Sequence, residues 1–347
     1  MGLGYRRIVQ TIDSHTEGNA TRVIVGGVKT PPGATLLEKR AWLWRNDDSL
    51  RRMLNFEPRG SGMMCSVLLL PAERPSSDFS VIIMEQDEYV PMCGHCIIGT
   101  ATTVVTTGMV TAREPVTTVR FDTPAGLVIC DVAVSDGKVG RVSFDNVDSF
   151  LLHRNVPLDV EGFGRLVIDV AYGGDFYAFV NADSLRLALD PANDAALISA
   201  WRRLSQAVAA QIRTAHPERP DITACYQVLF TSGQTSNGDF KQTILCPPGS
   251  IDRSPCGTGT SARVALLHTI GEMALGEPRR FEGVLGTCFI GEAVAAQRRE
   301  GVLYVTPRVT GSAYITGFHQ FVVEPSDPLP EGFRIGPAPR REPRLPN

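Results

Sequence analysis

Runs of apolar residues, alternation and helical spacing divide the chain into short strands with a few helices between them. Arg7–Ile12 and Thr21–Gly26 read as strands, and a helical stretch at Leu37–Leu54 ends before Pro58. Apolar runs at Met63–Leu70 and Phe79–Met84 read as further strands. Cys93–Thr107 follows Pro91, is rich in Gly, Ile, Ala and Thr, and stops at Gly108, as a buried helix does. The second half runs through the same plan. Strands are expected near Leu166–Val170 and Phe176–Val180, a long amphipathic helix from Pro191 to Arg213, and a strand at Phe240–Leu245. A small-residue helix, Cys256–Thr269, then stops at Gly271.

The two halves superpose. Cys93-Gly-His with Gly108 fifteen residues on matches Cys256-Gly-Thr with Gly271 fifteen residues on, each after a strand and a Pro-containing turn. This is an internal duplication. It predicts an α/β (α+β) chain of two lobes, 1–150 and 151–347, with 312–347 packing back on the first. The lobes are expected to face each other across a cleft, so that the two cysteines approach it from opposite sides.

A helix start presents unpaired N–H groups and the positive end of the helix dipole, which stabilise a thiolate. An ordinary thiol, with a pKa of about 8.5, is roughly 3% ionised at pH 7, and a drop of ~1.5 units ionises about half of it. Two such thiols sharing one proton give one base and one acid, and on opposite faces of a carbon they invert it. The N–H groups of Gly94, His95, Gly257 and Thr258 suit a substrate carboxylate and the charge that grows on it as the α-proton leaves. No electron-sink cofactor is then required. Asp252, four residues before Cys256, could hold a substrate ammonium with help from His95; the plainer reading of Asp252 is a turn or cap residue.

Composition narrows the alternatives. The 347 residues carry 34 basic and 37 acidic side chains, a formal charge of -3, which leaves no basic footprint for nucleic acid. No apolar run is long enough to span a membrane, and the first residues lack a secretory pattern, so a cytoplasmic protein with reduced thiols is expected. The eight cysteines are irregularly spaced and do not read as a disulfide scaffold. Cys93-Gly-His-Cys96 is also a dithiol redox sequence, but Cys256-Gly-Thr-Gly has no second thiol. Cys93, His95 and Cys96 offer zinc donors, yet near-adjacent donors converge poorly and no second C-x-x-C completes a tetrahedron, so no metal is expected. Cys65, Cys130, Cys225, Cys246 and Cys288 lie in or beside apolar stretches, where a thiol is usually a small hydrophobe. Of the lone histidines, only His15 is expected near the cleft. Four lysines, none in a Schiff-base context, argue against a pyridoxal enzyme. Retention of both helix-start cysteines argues against a catalytically dead binding protein.

Met92-Cys93-Gly94-His95 and Asp252-Arg-Ser-Pro-Cys256-Gly-Thr-Gly-Thr260 resemble the two signatures of the proline racemase superfamily. Asp13-Ser-His15, Glu57-Pro-Arg-Gly60, Ala171-Tyr-Gly-Gly174 and Thr316-Gly-Phe-His319 extend the likeness over nearly the whole chain. The resemblance implies a fold like that of diaminopimelate epimerase, each lobe a mostly antiparallel sheet around a central helix. It also implies Cys93 and Cys256 as catalytic thiols, Asp252 and His95 at the ring nitrogen, Gly94, His95, Gly257 and Thr258 at the carboxylate, no cofactor, and a homodimer. Three activities occur in the family: proline racemase, 4-hydroxyproline 2-epimerase and trans-3-hydroxyproline dehydratase. Dehydratases typically replace one cysteine by Ser or Thr. Leu245-Cys246-Pro247 resembles the epimerases, which leaves room beside C4 of a proline ring, whereas Gly174-Asp-Phe-Tyr-Ala178 is closer to racemases and dehydratases. His15, Tyr177 and Cys246 are the expected pocket lining. Glu17-Gly-Asn-Ala20 replaces the usual Gly-Glu-Pro, and Cys96 stands where Gly is common.

Overall fold

The computed structural model describes residues 6–220, 222, 223, 225, 227–246 and 249–335, the Cys246 side chain lying outside them. The backbone forms two compact units, one of residues up to Ser143 joined by those from Ser312, the other Phe144–Gly311.

In the first unit Arg7–Thr16 lies between two antiparallel partners, Asn19–Gly26 and Ala313–Val323. Asn19–Gly26 continues parallel to Cys65–Pro71, with Thr21 opposite Cys65, and Cys65–Pro71 pairs antiparallel with Phe79–Met84. Tyr89–Val90 folds back on the end of that strand and leads to the helix Gly94–Thr106. Every residue of this helix as far as Val105 is buried, against Arg7–Thr16, Asn19–Gly26, Cys65–Pro71, Gly126–Ser135 and Ala313–Val323. A helix apolar all round needs such an enclosure. The expected helix Leu37–Leu54 is two helices, Leu36–Asn46 and Ser49–Asn55. The break falls at Asp47-Asp48, residue types that compete for backbone hydrogen bonds and favour caps over helix interiors.

The second unit repeats this path. Phe150–Val160, Gly164–Tyr172 and Phe176–Asn181 form an antiparallel meander, joined in parallel by Gln227–Ser232, which pairs antiparallel with Phe240–Cys246. Ser250–Ile251 folds back on that strand, as Tyr89–Val90 does, and leads to the helix Gly257–Thr269. Beyond each helix the chain returns in the same way: Phe121 pairs in parallel with Phe79 in one unit and Phe281 with Phe240 in the other. The duplication read from two Cys-Gly steps is thus a repeated ladder of strands around a buried 13-residue helix. The amphipathic helix, Asp194–Gln211, buries Leu197, Ala200, Trp201, Leu204 and Val208, one stripe at helical spacing. No helix among the described residues is long and apolar enough to cross a membrane.

Candidate active site

Cys93 is the extended N-cap of its helix, and the first helical bond runs from the Ile97 N–H to the Cys93 carbonyl at 3.0 Å. The N–H groups of Gly94 and His95 precede that bond and have no partner within the helix. His95 is buried and tied down on several sides. Its Nδ1 stands 3.1 Å from Cys93 Sγ, and its Nε2 3.3 Å from Cys96 Sγ and 3.2 Å from Asn19 Nδ2. The Thr16 hydroxyl donates to its carbonyl at 2.8 Å. The Cys93 thiol is held well below the ordinary range, mainly by its hydrogen bond with the Cys96 thiol, against the opposing effect of burial and with help from the His95 charge. Burial also opposes the charge on His95, but the thiolates of Cys93 and Cys65 raise its pKa well above that of a free imidazole. The result is a thiolate–imidazolium pair. Beside it, burial and the Cys93 charge raise the Glu85 carboxyl well above its ordinary value.

Cys256 caps the equivalent helix with φ 68°, ψ 116°, a left-handed backbone that costs a non-glycine residue of order 1–3 kcal/mol. A turn holds it there. The Asp252 carboxylate accepts from the Ser254 N–H at 2.8 Å and hydroxyl at 3.0 Å, and Ser254 Oγ accepts the Cys256 N–H at 3.1 Å. The sulfur accepts the Gly259 N–H at 3.3 Å and lies 3.6 Å from both Tyr177 Oη and Thr258 Oγ1, which are 2.6 Å from each other. The first helical bond is from the Thr260 N–H, so those of Gly257 and Thr258 precede it. Burial, followed by the nearby Asp252 carboxylate, pushes the Cys256 thiol up to about 12 despite the donors aimed at it.

The Ala171-Tyr-Gly-Gly174 signature is explained by packing. A side chain on Gly173 would place Cβ 2.3 Å from Thr258 O and from Ala262 N, so bare helix backbone rests on this glycine. Asn146 Nδ2 locks the contact by donating to Gly173 O at 3.0 Å and Ser261 Oγ at 2.9 Å.

Of the remaining expected residues, Tyr177 stands beside Cys256, as above. His15 lies near the end of the strand Arg7–Thr16, where its Nδ1 accepts the N–H of Gly18 in the following turn at 3.2 Å, and its ring tilts over the exposed Tyr314. The Cys246 side chain lies outside the described residues. Asp13 belongs to the scaffold, its carboxylate bridged by Arg22 Nε and Nη2 at 2.8–3.1 Å.

Sequence reasoning missed Cys65 and Glu85, and marked Asn19 only as part of the Glu17-Gly-Asn-Ala20 departure. Cys65, read there as a small hydrophobe, has its thiol lowered to about 7, chiefly by a hydrogen bond with Cys96. The zinc reading used Cys93 with His95 and Cys96, whereas the set that converges is Cys65, His95 and Cys96, with donor atoms within 4.8 Å of one another.

The profile described as proline racemase matches residues 11–334. The chain is 42% identical over 330 residues to a 4-hydroxyproline 2-epimerase of Streptosporangium roseum, covering 95% of this chain and 99% of the relative. It is 40% identical over 330 residues to a proline racemase of Clostridioides difficile, covering 95% and 98%. A solved hydroxyproline epimerase of Agrobacterium vitis, with trans-4-hydroxy-L-proline bound, superposes with a TM-score of 0.85 at 33% identity, over 95% of this chain and 96% of the other.

Proposed function

The chain belongs to the proline racemase family and is an amino-acid racemase or epimerase, and we propose that it is a cofactor-independent 4-hydroxyproline 2-epimerase using Cys93 and Cys256. The observation that carries the mechanism is the opposite poise of two thiols at equivalent helix starts. Cys93 is set to ionise well below an ordinary thiol, while Cys256 keeps its proton. The resting enzyme therefore holds one base and one acid. Cys93 removes the α-proton of the isomer that meets the resting form, and Cys256 delivers one to the other face. Negative charge growing on the substrate carboxylate is taken up by the N–H groups of Gly94, His95, Gly257 and Thr258. The Asp252 carboxylate receives the ring ammonium. His95 acts through its ring on Cys93, since both ring nitrogens already face protein groups.

The substrate assignment rests on Cys246, at a position where the resemblance gives proline racemases a bulky aromatic, and on the likeness to epimerases. A buried C4 hydroxyl without a partner would cost about 1–3 kcal/mol. His15 can supply the partner: a ring whose Nδ1 accepts the Gly18 N–H carries its proton on Nε2. Gly174-Asp-Phe-Tyr-Ala178 favours proline racemase as the second reading. Proton NMR in D2O decides between them. Trans-4-hydroxy-L-proline should exchange its α-proton at a kcat/KM about tenfold or more above that of L-proline. Equal or faster turnover of L-proline would move the assignment to proline racemase. Release of pyrroline-2-carboxylate from trans-3-hydroxy-L-proline would move it to the dehydratase.

A further inference from the structure

We propose that Cys65, His95 and Cys96, with the amide oxygen of Asn19, form a binding site for a soft divalent cation such as Zn(II), and that occupation of this site inhibits turnover. Two thiolates and an imidazole are the donors that zinc prefers, at about 2.3 Å for sulfur and 2.0–2.1 Å for nitrogen. Around a tetrahedral ion such donors stand roughly 3.5–3.8 Å apart. The His95 Nε2 to Cys96 Sγ distance is 3.3 Å, and all three donor atoms lie within 4.8 Å of one another, so a contraction of about an ångström completes the set.

A fourth donor is indicated independently. Asn19 Oδ1 is buried with no hydrogen-bond partner among the described residues, while Asn19 Nδ2 stands 3.2 Å from His95 Nε2. Exchanging the two ends of the amide leaves its shape unchanged and brings the oxygen to that position. Charge balances as well. Each thiol coordinates as a thiolate and His95 through a deprotonated Nε2, all of these protons passing to solvent, so Zn(II), two thiolates and a neutral imidazole form a neutral group, which a buried site requires. The thiols, His95 and Asn19 arrive from three elements: the strand Cys65–Pro71, the first turn of the Cys93 helix, and the start of the strand Asn19–Gly26. The equivalent first turn of the second unit carries Thr258 and Gly259 in place of His95 and Cys96 and has no such donors. Inhibition follows from position: drawing His95 and Cys96 onto a metal displaces the turn against which the Cys93 sulfur rests.

The test is anaerobic titration of the full-length, chelator-treated, reduced protein with Co(II). One equivalent should give the thiolate charge-transfer and tetrahedral d–d absorption of a two-thiolate site, displaced by Zn(II), and α-proton exchange should fall at least tenfold and return on chelation. The absorption reports the metal whatever the substrate proves to be. Cys65→Ser should lose the charge-transfer band and bind Zn(II) at least ~100-fold more weakly, beyond the loss that removal of an outer partner brings, and the α-proton exchange it retains, referred to its own metal-free rate, should withstand Zn(II). Wild-type protein without the band at stoichiometric Co(II), or zinc inhibition undiminished in an active Cys65→Ser enzyme, would overturn the proposal.

Discussion

At the residue scale, the unequal treatment of two matching thiols makes Cys93 the more readily ionised of the pair. Its surroundings lower the thiol, while burial and Asp252 raise Cys256 to about 12. Iodoacetamide near neutral pH should therefore alkylate Cys93 well before Cys256, and loss of turnover should track Cys93 occupancy by peptide mass spectrometry. The pH dependence has a definite sign. A thiol lowered by folding gives stability that is present above its unfolded pKa and is lost as pH falls through the folded value. The alkylation rate should stay high below the ordinary thiol range and decline only at acid pH. A rate that declines around pH 8.5, as for a free thiol, would contradict the thiolate–imidazolium pair. Much of this site is legible in the sequence, because the two Cys-Gly helix starts mark themselves. What is not legible is the shell behind Cys93. Asn19 and Cys65 are far from it in the chain and reach His95 only because Thr21 pairs with Cys65 across two parallel strands.

At the element scale, the Cys256 helix is placed by backbone contact rather than by side-chain fit. Gly173 lies directly under the first turns of the Cys256 helix, and the groups nearest to it are main-chain atoms that cannot rotate away. Gly173→Ala should cost about 1–3 kcal/mol of stability in urea unfolding and lower kcat more than it raises KM, because the helix must lift with its thiol. Unchanged stability and rate would mean that the contact is loose. Helices and the first strands are readable because their apolar spacing is regular. The strands between Val116 and Val160 are harder to read. Along Gly126–Ser135, Val128, Cys130, Val132 and Val134 face inward, but Leu127 and Ile129 are exposed apolar residues on the other face. Apolar side chains on both faces erase the period of two that marks a half-buried strand.

At the scale of the whole molecule, each repeat supplies one thiol, and the proposed reaction needs both. Two separate proton carriers leave an isotopic record: in D2O the early product isomer should carry deuterium at the α-carbon while remaining substrate stays protiated. Early product that keeps the original proton would point to a single shared carrier. The discontinuity of the first unit bears on a different matter, the order in which the protein can be made. Arg7–Thr16 leaves the ribosome well before its partner Ala313–Val323, which follows all of Phe144–Gly311. The later-made unit is thus complete while the earlier-made one still has an open strand edge, exposed to neighbouring chains until Ala313–Val323 emerges. Joining the sequence of Ala313–Val323 ahead of Arg7–Thr16 by circular permutation would close that edge at the outset and reduce aggregation during synthesis.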